Sequence, residues 1–392
     1  MSSGADSAAR FRAVDGLRLV GALAVMMTHV GFDSGDALRG PFAGLLGRLD
    51  SGVAIFFAVS GFVLFRPHVM AHLGGRPRPR VGSYFARRAA RILPVLWLAV
   101  GAAYLVVPTK GAVTGDYLAT AALIHIYVGT PLLTGLTQFW SLATEVAFYL
   151  LLPAAAALLC RGRSGMTWLR RASVALLVLV PVGPVWMAVV TATGHPQARL
   201  WLPGFVGWFA VGMLLALWNG ARTVGLVAPG VLDSLSRAPG TSWAAAVALL
   251  AIAGTPVAGP LDLSEPTPGQ AAVKAVLYTL IGLFVLLPTV TTIAPATEPT
   301  AVRALGGRLG SRLGEVSYGL FAYHVIVLAV VDRLPGFGSF QGRFVERLGL
   351  TFVATLVVAT VSYVVVERPL MAWVRGATSR TPATATAVHT PS

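Results

Sequence analysis

The chain has 392 residues, 56% of them hydrophobic and 11% charged, with a mean hydropathy of +0.74 and a formal charge of +15. Soluble domains carry roughly 25% charged residues, and a soluble fold this poor in charge cannot cover its surface. That excludes a soluble enzyme, a disordered chain and a collagen-like repeat, and the single cysteine, Cys160, excludes a disulfide framework and a cysteine-built metal site. What remains is a polytopic membrane protein.

A bilayer crossing needs roughly 20 mostly apolar residues. Ten candidate stretches follow one another, over residues 14–32, 51–66, 92–108, 139–159, 172–192, 201–219, 241–257, 271–294, 315–333 and 348–366. The links from Arg66 to Arg91, Arg161 to Arg171 and Arg303 to Arg312 are rich in arginine. The alternate links carry acids instead: Asp33, Asp36 and Asp50 in one, Asp262 and Glu265 in another. With both termini on the arginine side, 22 of the 30 basic residues lie on that side and 8 on the other. The positive-inside rule then places the N-terminus and the C-terminus in the cytosol, which requires an even number of spans. The fold class expected is an all-α bundle of about ten transmembrane helices in the plasma (bacterial inner) membrane. In a soluble protein a charge of +15 would suggest nucleic acid. Here the basic residues cluster in short links, so the partner is the bilayer and no nucleic acid is expected.

Residues 116–131 are apolar enough to suggest an eleventh crossing, but that crossing would put the basic run Arg161–Arg171 outside. They are therefore expected along the outer interface or in a re-entrant position, with His125 at the interface. The first stretch is not a cleaved leader, because it carries Asp15, Arg18 and His29. No internal repeat is visible. Residues 1–12 are expected to be a cytosolic segment, residues 13–373 the membrane domain, and residues 374–392, rich in Thr, Ala and Pro, a disordered cytosolic tail.

A charge in the membrane core costs roughly 2.5–3.5 kcal/mol on insertion scales, so each one calls for a reason. In the first stretch Arg18 and His29 are eleven residues apart, which is three helical turns and one shared face, with a rise of about 16 Å. A fixed cation on the inner half and an imidazole on the outer half suit a path across the membrane. The bland alternative is a snorkelling arginine and an interfacial histidine. In the fourth stretch Glu145 lies two turns from the start and Tyr149 one turn further on the same face. An unpaired carboxylate there would be costly, so Arg18 or His29 is expected as its partner, either for catalysis or as a structural ion pair. Arg87, Arg88 and Arg91 cluster at helical spacing and suit phosphates, although generic inner charge explains them too. A second imidazole, His324, falls mid-membrane in the ninth stretch. Glu367-Arg368-Pro369 closes the tenth, with Pro369 as a stop.

Together these stretches resemble the acyltransferase 3 family of membrane acyltransferases, which includes bacterial O-antigen acetylases. The resemblance runs from Phe11 to about Trp373. It rests on Asp15-Gly-Leu-Arg18 followed by His29, on Ser60-Gly-Phe62, on Arg88-xx-Arg91, on Trp140-Ser141-Leu-xxx-Glu145-xx-Phe148-Tyr149, on Ser317-Tyr318 to His324, and on Glu367-Arg-Pro369, all in the family's order. Two positions depart from the usual pattern: Ala54 stands where members often have Asp, and Val146 where many have a second acid.

The resemblance implies a donor, acyl-CoA (acetyl-CoA by analogy), on the cytosolic side, and an acceptor hydroxyl on a carbohydrate, glycolipid or glycosylated small molecule. It implies no bound cofactor and no metal. The donor's phosphates fall to Arg87, Arg88 and Arg91. His29 is the general base or a transient acyl carrier, with Glu145 or Asp15 steadying its imidazolium and Arg18 on the same face. Trp140, Ser141, Tyr149, Ser317, Tyr318 and His324 are the expected substrate contacts. The rival from another class is a secondary transporter or flippase using His and Glu as a proton relay, which would be expected to show repeats or matched broken helices. The charge asymmetry makes one test immediate. A reporter fused after Arg375 should be cytosolic and one inserted near Ser264 should lie outside; both on the same side would contradict the ten-span reading.

Overall fold

In hydrocarbon every backbone N–H and C=O has to be satisfied within its own segment, so apolar stretches of this length fold as helices. The computed structural model describes residues 11–74, 76–291 and 298–379, and these are helices and their links with no strand among them. Along the chain run α1 (Arg12–Ser34), α2 (Ala43–His72), α3 (Val81–Val106), α4 (Phe139–Leu159), α5 (Met166–Ala192), α6 (Leu202–Thr223), α7 (Pro239–Ala253), α8 (Pro268–Val290), α9 (Arg308–Val331) and α10 (Phe344–Thr378). Each falls on one of the ten predicted stretches. Nine of them are long and apolar enough to cross a bilayer. The exception is α7, whose 15 residues rise about 22 Å, short of the roughly 30 Å hydrocarbon thickness. Of the predicted terminal segments, residues 1–10 and 380–392 lie outside the described residues, whereas 374–379 continue the last helix.

Burial separates the core from the periphery. In the most apolar stretch of α2 and of α6, 72% of residues are buried inside the protein, against 17% in α5 and 22% in α10. The outward faces of α5 and α10 carry Val174, Leu177, Val178, Val353, Val357 and Val361, a surface suited to lipid. In the core α2 and α6 touch backbone to backbone. A Cβ on Gly212 of α6 would sit 1.9 Å from the Ala58 carbonyl oxygen, and one on Gly61 of α2 would sit 2.2 Å from that of Phe209. Without a hydrophobic force between helices in lipid, close approach at small residues is what joins them.

At the acid-bearing end a buried arginine ties three helices. Arg347, fully buried in the first turn of α10, donates to Asp33 at the end of α1 and to Asp332 at the end of α9. Its second nitrogen donates to the Gly338 carbonyl at 3.0 Å. Burial, with Asp33 beside it, pushes the Asp332 carboxyl up from its ordinary range. Residues 116–131 do not cross. They form a short helix, Thr114–Ala121, followed by turns with Leu123 at φ 58° and Gly129 at φ 77°. His125 is 1% exposed within this segment, and burial lowers its pKa to about 4, so it is neutral at physiological pH.

Pro369 does not end α10 as the sequence suggested. A π-helical turn over Tyr363–Glu367 precedes it, and the helix resumes from Arg368 to Ser379. A π turn shifts the hydrogen-bonding register by one residue, which lets the chain carry a residue without an N–H. Glu367, in that turn, is fully buried.

The α2–α6 contact gives a stability test. Gly212→Ala should lower stability by about 1–3 kcal/mol, the usual cost of overpacking, seen as a lower melting temperature in detergent. Gly101→Ala in α3, where nothing lies within 4 Å of the new methyl, should be neutral or stabilising. Equal melting temperatures for the two variants would contradict the close crossing.

Candidate active site

Five helices bring their polar residues to one chamber. Arg18 comes from α1, Ser60 from α2, Arg88 and Arg91 from α3, Ser141, Glu145 and Tyr149 from α4, and Ser317 and Tyr318 from α9. On α4 the spacing 141, 145, 149 is one residue per turn, so all three face inward together. On α3 Arg88 and Arg91 share a face, whereas Arg87 is rotated about 100° from Arg88 and is exposed. These arginines are not in a link between helices but in the N-terminal half of a continuous helix. Phe56, Phe57 and Phe321 wall the chamber, whose volume of about 60 Å³ holds only a few waters.

Glu145 finds partners other than those expected. Its Oε1 accepts from the Ser60 hydroxyl and from the Tyr149 hydroxyl at 2.7 Å. Two hydroxyl donors hold a carboxylate without a full counter-ion, and the three guanidinium groups of the chamber supply the field. Arg88 lies 6.0 Å from the Tyr149 ring centre. Arg18 is met by Asp15 at 3.0 Å, so Asp15 stands on the arginine rather than on His29. The Tyr318 hydroxyl donates to the Ile92 carbonyl at 3.0 Å, fixing α9 against α3. Arginines outnumber carboxylates here, so the chamber attracts anions.

His29 sits about 16 Å further along α1, toward the acid-bearing end. Its partner is the second imidazole: His324 Nε2 lies 3.3 Å from His29 Nδ1, with ring centres 5.0 Å apart. His324 Nδ1 faces the carbonyls of Phe321 at 2.8 Å and Leu320 at 3.1 Å, so it carries the proton and its Nε2 accepts. His29 Nδ1 faces the Val25 carbonyl at 2.8 Å as well as that accepting nitrogen, so it too carries its proton. The free lone pair of the neutral imidazole is then on His29 Nε2. Phe321 links the two places: it walls the chamber, packs edge-on against Phe56 at 5.6 Å, and lies 6.1 Å from His324.

The structure thus unites Arg18, Arg88, Arg91, Ser141, Glu145, Tyr149, Ser317 and Tyr318, and pairs His29 with His324. It leaves Arg87 outside, and it places Trp140 in the wall of a different cavity at the acid-bearing end. Ser60 and the Phe56–Phe321 pair are the parts sequence reasoning did not assign to the site. A serine within the apolar run Ala54–Leu64 was the available signal for the first; nothing local signalled the second.

The chain's likeness to known proteins agrees with this arrangement. The model of one family, described as an acyltransferase domain, matches residues 11–367. Nodulation protein 10 of Rhizobium leguminosarum bv. viciae is 26% identical over 385 residues, covering 91% of this chain and 92% of that protein. The exopolysaccharide production protein ExoZ of Rhizobium meliloti (strain 1021) is 26% identical over 336 residues, covering 82% of this chain and 89% of that protein. No solved structure matches the chain. With a polar chamber inside a bundle of membrane helices and a family match over nearly its whole length, the chain belongs to the acyltransferase 3 family and is a multi-pass membrane O-acyltransferase.

Proposed function

We propose that this enzyme moves a short acyl group, acetyl in the simplest case, from cytosolic acyl-CoA to a hydroxyl of a carbohydrate acceptor at the outer face of the plasma membrane. The observation that carries the reading is the pairing of an arginine chamber on one half of the bundle with a histidine of free Nε2 on the other half. Arg88 and Arg91 match the phosphates of CoA by charge and by their planar donor forks. A second cavity of about 270 Å³ shares Arg18 with the chamber and adds Arg66 and Arg76, which extends the anion-binding surface at the arginine-rich end. The narrowness of the chamber favours a small acyl group. The exopolysaccharide named in one relative supports a carbohydrate acceptor.

In this reading the donor's arm runs past Phe56 and Phe321 toward His29. The acceptor hydroxyl gives its proton to His29 Nε2 as its oxygen bonds to the thioester carbonyl carbon. The C–S bond breaks, and CoA leaves as the thiol after taking that proton. His324 holds His29 in the tautomer that has Nε2 unprotonated. Glu145, gripped by Ser60 and Tyr149, orders the chamber and balances its arginines.

The donor assignment is tested by binding of labelled acyl-CoA to membranes. Arg88→Ala with Arg91→Ala should weaken it by about tenfold or more, since charge-assisted pairs are lost. Arg163→Ala with Arg170→Ala, at exposed positions of the same basic end, should leave it near the wild-type value. Equal effects from the two pairs would reduce the cluster to generic inner charge.

A further inference from the structure

A cavity at the acid-bearing end is unused by the chemistry above. It measures about 360 Å³ and lies where the starts of α2, α4 and α8 meet the links before α6 and α8. We propose that it is the subsite for an electrically neutral sugar ring of the acceptor, seated against Trp140 and hydrogen-bonded by the Asp50–Lys274 pair. This rests on the reading of a carbohydrate acceptor and adds where the ring binds and which charge it carries.

A pyranose has apolar C–H faces and a polar rim, so its site needs a flat aromatic surface beside donors and acceptors. Trp140 is half-buried and is backed by Phe205, 5.1 Å away, which in turn packs edge-on against Trp208 at 4.8 Å. The Trp208 indole is fixed by its N–H to the Ala275 carbonyl at 3.3 Å. The aromatic wall is therefore rigid before any ligand arrives. Across from it Lys274 donates to Asp50 at 2.8 Å, and Tyr278 donates to the other carboxylate oxygen. The Lys274 and Asp50 side chains remain 32% and 38% exposed, so both can still share hydrogen bonds with hydroxyls.

The charge inventory selects a neutral guest. Lys274 is matched by Asp50, and Arg199 by Glu265. Arg48 spends its Nε on the Ala253 carbonyl at 3.0 Å and one terminal nitrogen on those of Gly259 and Pro260 at 2.9 and 3.0 Å. With Asp262 also in the wall, the three cations Arg48, Arg199 and Lys274 are matched in number by Asp50, Asp262 and Glu265, whereas in the chamber arginines are in excess. A carboxylate on the sugar would meet Asp50 and Asp262 in the same wall. The position also suits delivery: Trp140 is adjacent in sequence to Ser141 of the chamber, and Val53 in the cavity wall is one helical turn from Phe56.

The test is direct binding without donor, read by saturation-transfer NMR on the full chain in lipid nanodiscs, since glycosidic detergents would compete. The probes are methyl glucoside, methyl galactoside and methyl rhamnoside, and the sodium salt of methyl glucuronide. At least one neutral glycoside should bind, and the glucuronide should bind about tenfold or more weakly than it does. Trp140→Ala and Lys274→Met should each weaken the neutral probe by about tenfold, and Trp140→Phe should keep it within about threefold. The phenylalanine and methionine variants preserve bulk, so they decide the matter if Trp140→Ala does not fold. Tighter binding of the glucuronide, no binding of any neutral glycoside, or wild-type binding in both Trp140→Ala and Lys274→Met would each overturn the subsite. Glycoside binding by a protein that transfers no acyl group would contradict the acyl-transfer reading alone. Transfer by a protein whose glycoside binding ignores Trp140 and Lys274 would contradict this subsite alone.

Discussion

A charge inside hydrocarbon costs a few kcal/mol unless another polar group meets it, and four such meetings organise this bundle. Arg18 is met by Asp15 one turn away on its own helix. Glu145 is met by hydroxyls from two helices, and Arg347 by carboxylates from two others. His29 is met by neither acid but by a second imidazole. All but the first of these contacts tie helices together, so the contacts that make the polar residues tolerable also fix the relative positions of α1, α2, α4, α9 and α10. Polarity and architecture are one constraint here.

That constraint produces two unlike ends joined by a narrow middle. At the arginine-rich end cations exceed carboxylates, and the chamber draws anions in. At the acid-bearing end cations and carboxylates are matched around an aromatic wall. Between them lie the Phe56–Phe321 pair and the two histidines. In the proposed reading this ordering separates a charged donor from a polar acceptor across the Phe56–Phe321 constriction.

Much of the plan was legible in the residues. The ten apolar stretches all became helices, and the basic run Arg161–Arg171 correctly argued against a crossing at 116–131. The shared face of Glu145 and Tyr149 followed from helical period alone. The rest depended on contacts that no local pattern encodes. His29 and His324 are 295 residues apart, and Ser60 and Glu145 are 85 apart. Arg87 looked equivalent to Arg88 as charge, but a rotation of about 100° on the helix removes it from the chamber. Pro369 read as a stop, and the π turn that carries it leaves no signature in composition. The cavity at the acid-bearing end draws its wall from residues as far apart as Asp50 and Lys274, so only the fold reveals that Trp140 belongs with them.

The central claim is that His29 acts through the lone pair on Nε2. Loss of a general base typically costs about 10²–10⁴ in rate. In His29→Gln the side chain keeps its polarity and can still donate to Val25 or His324, but it cannot take a proton at neutral pH. Transfer from labelled acyl-CoA by that variant in membranes, compared with wild type at equal protein and equal donor binding, tests the claim most directly. The account predicts donor binding retained and acyl transfer lost; transfer at near the wild-type rate would contradict it.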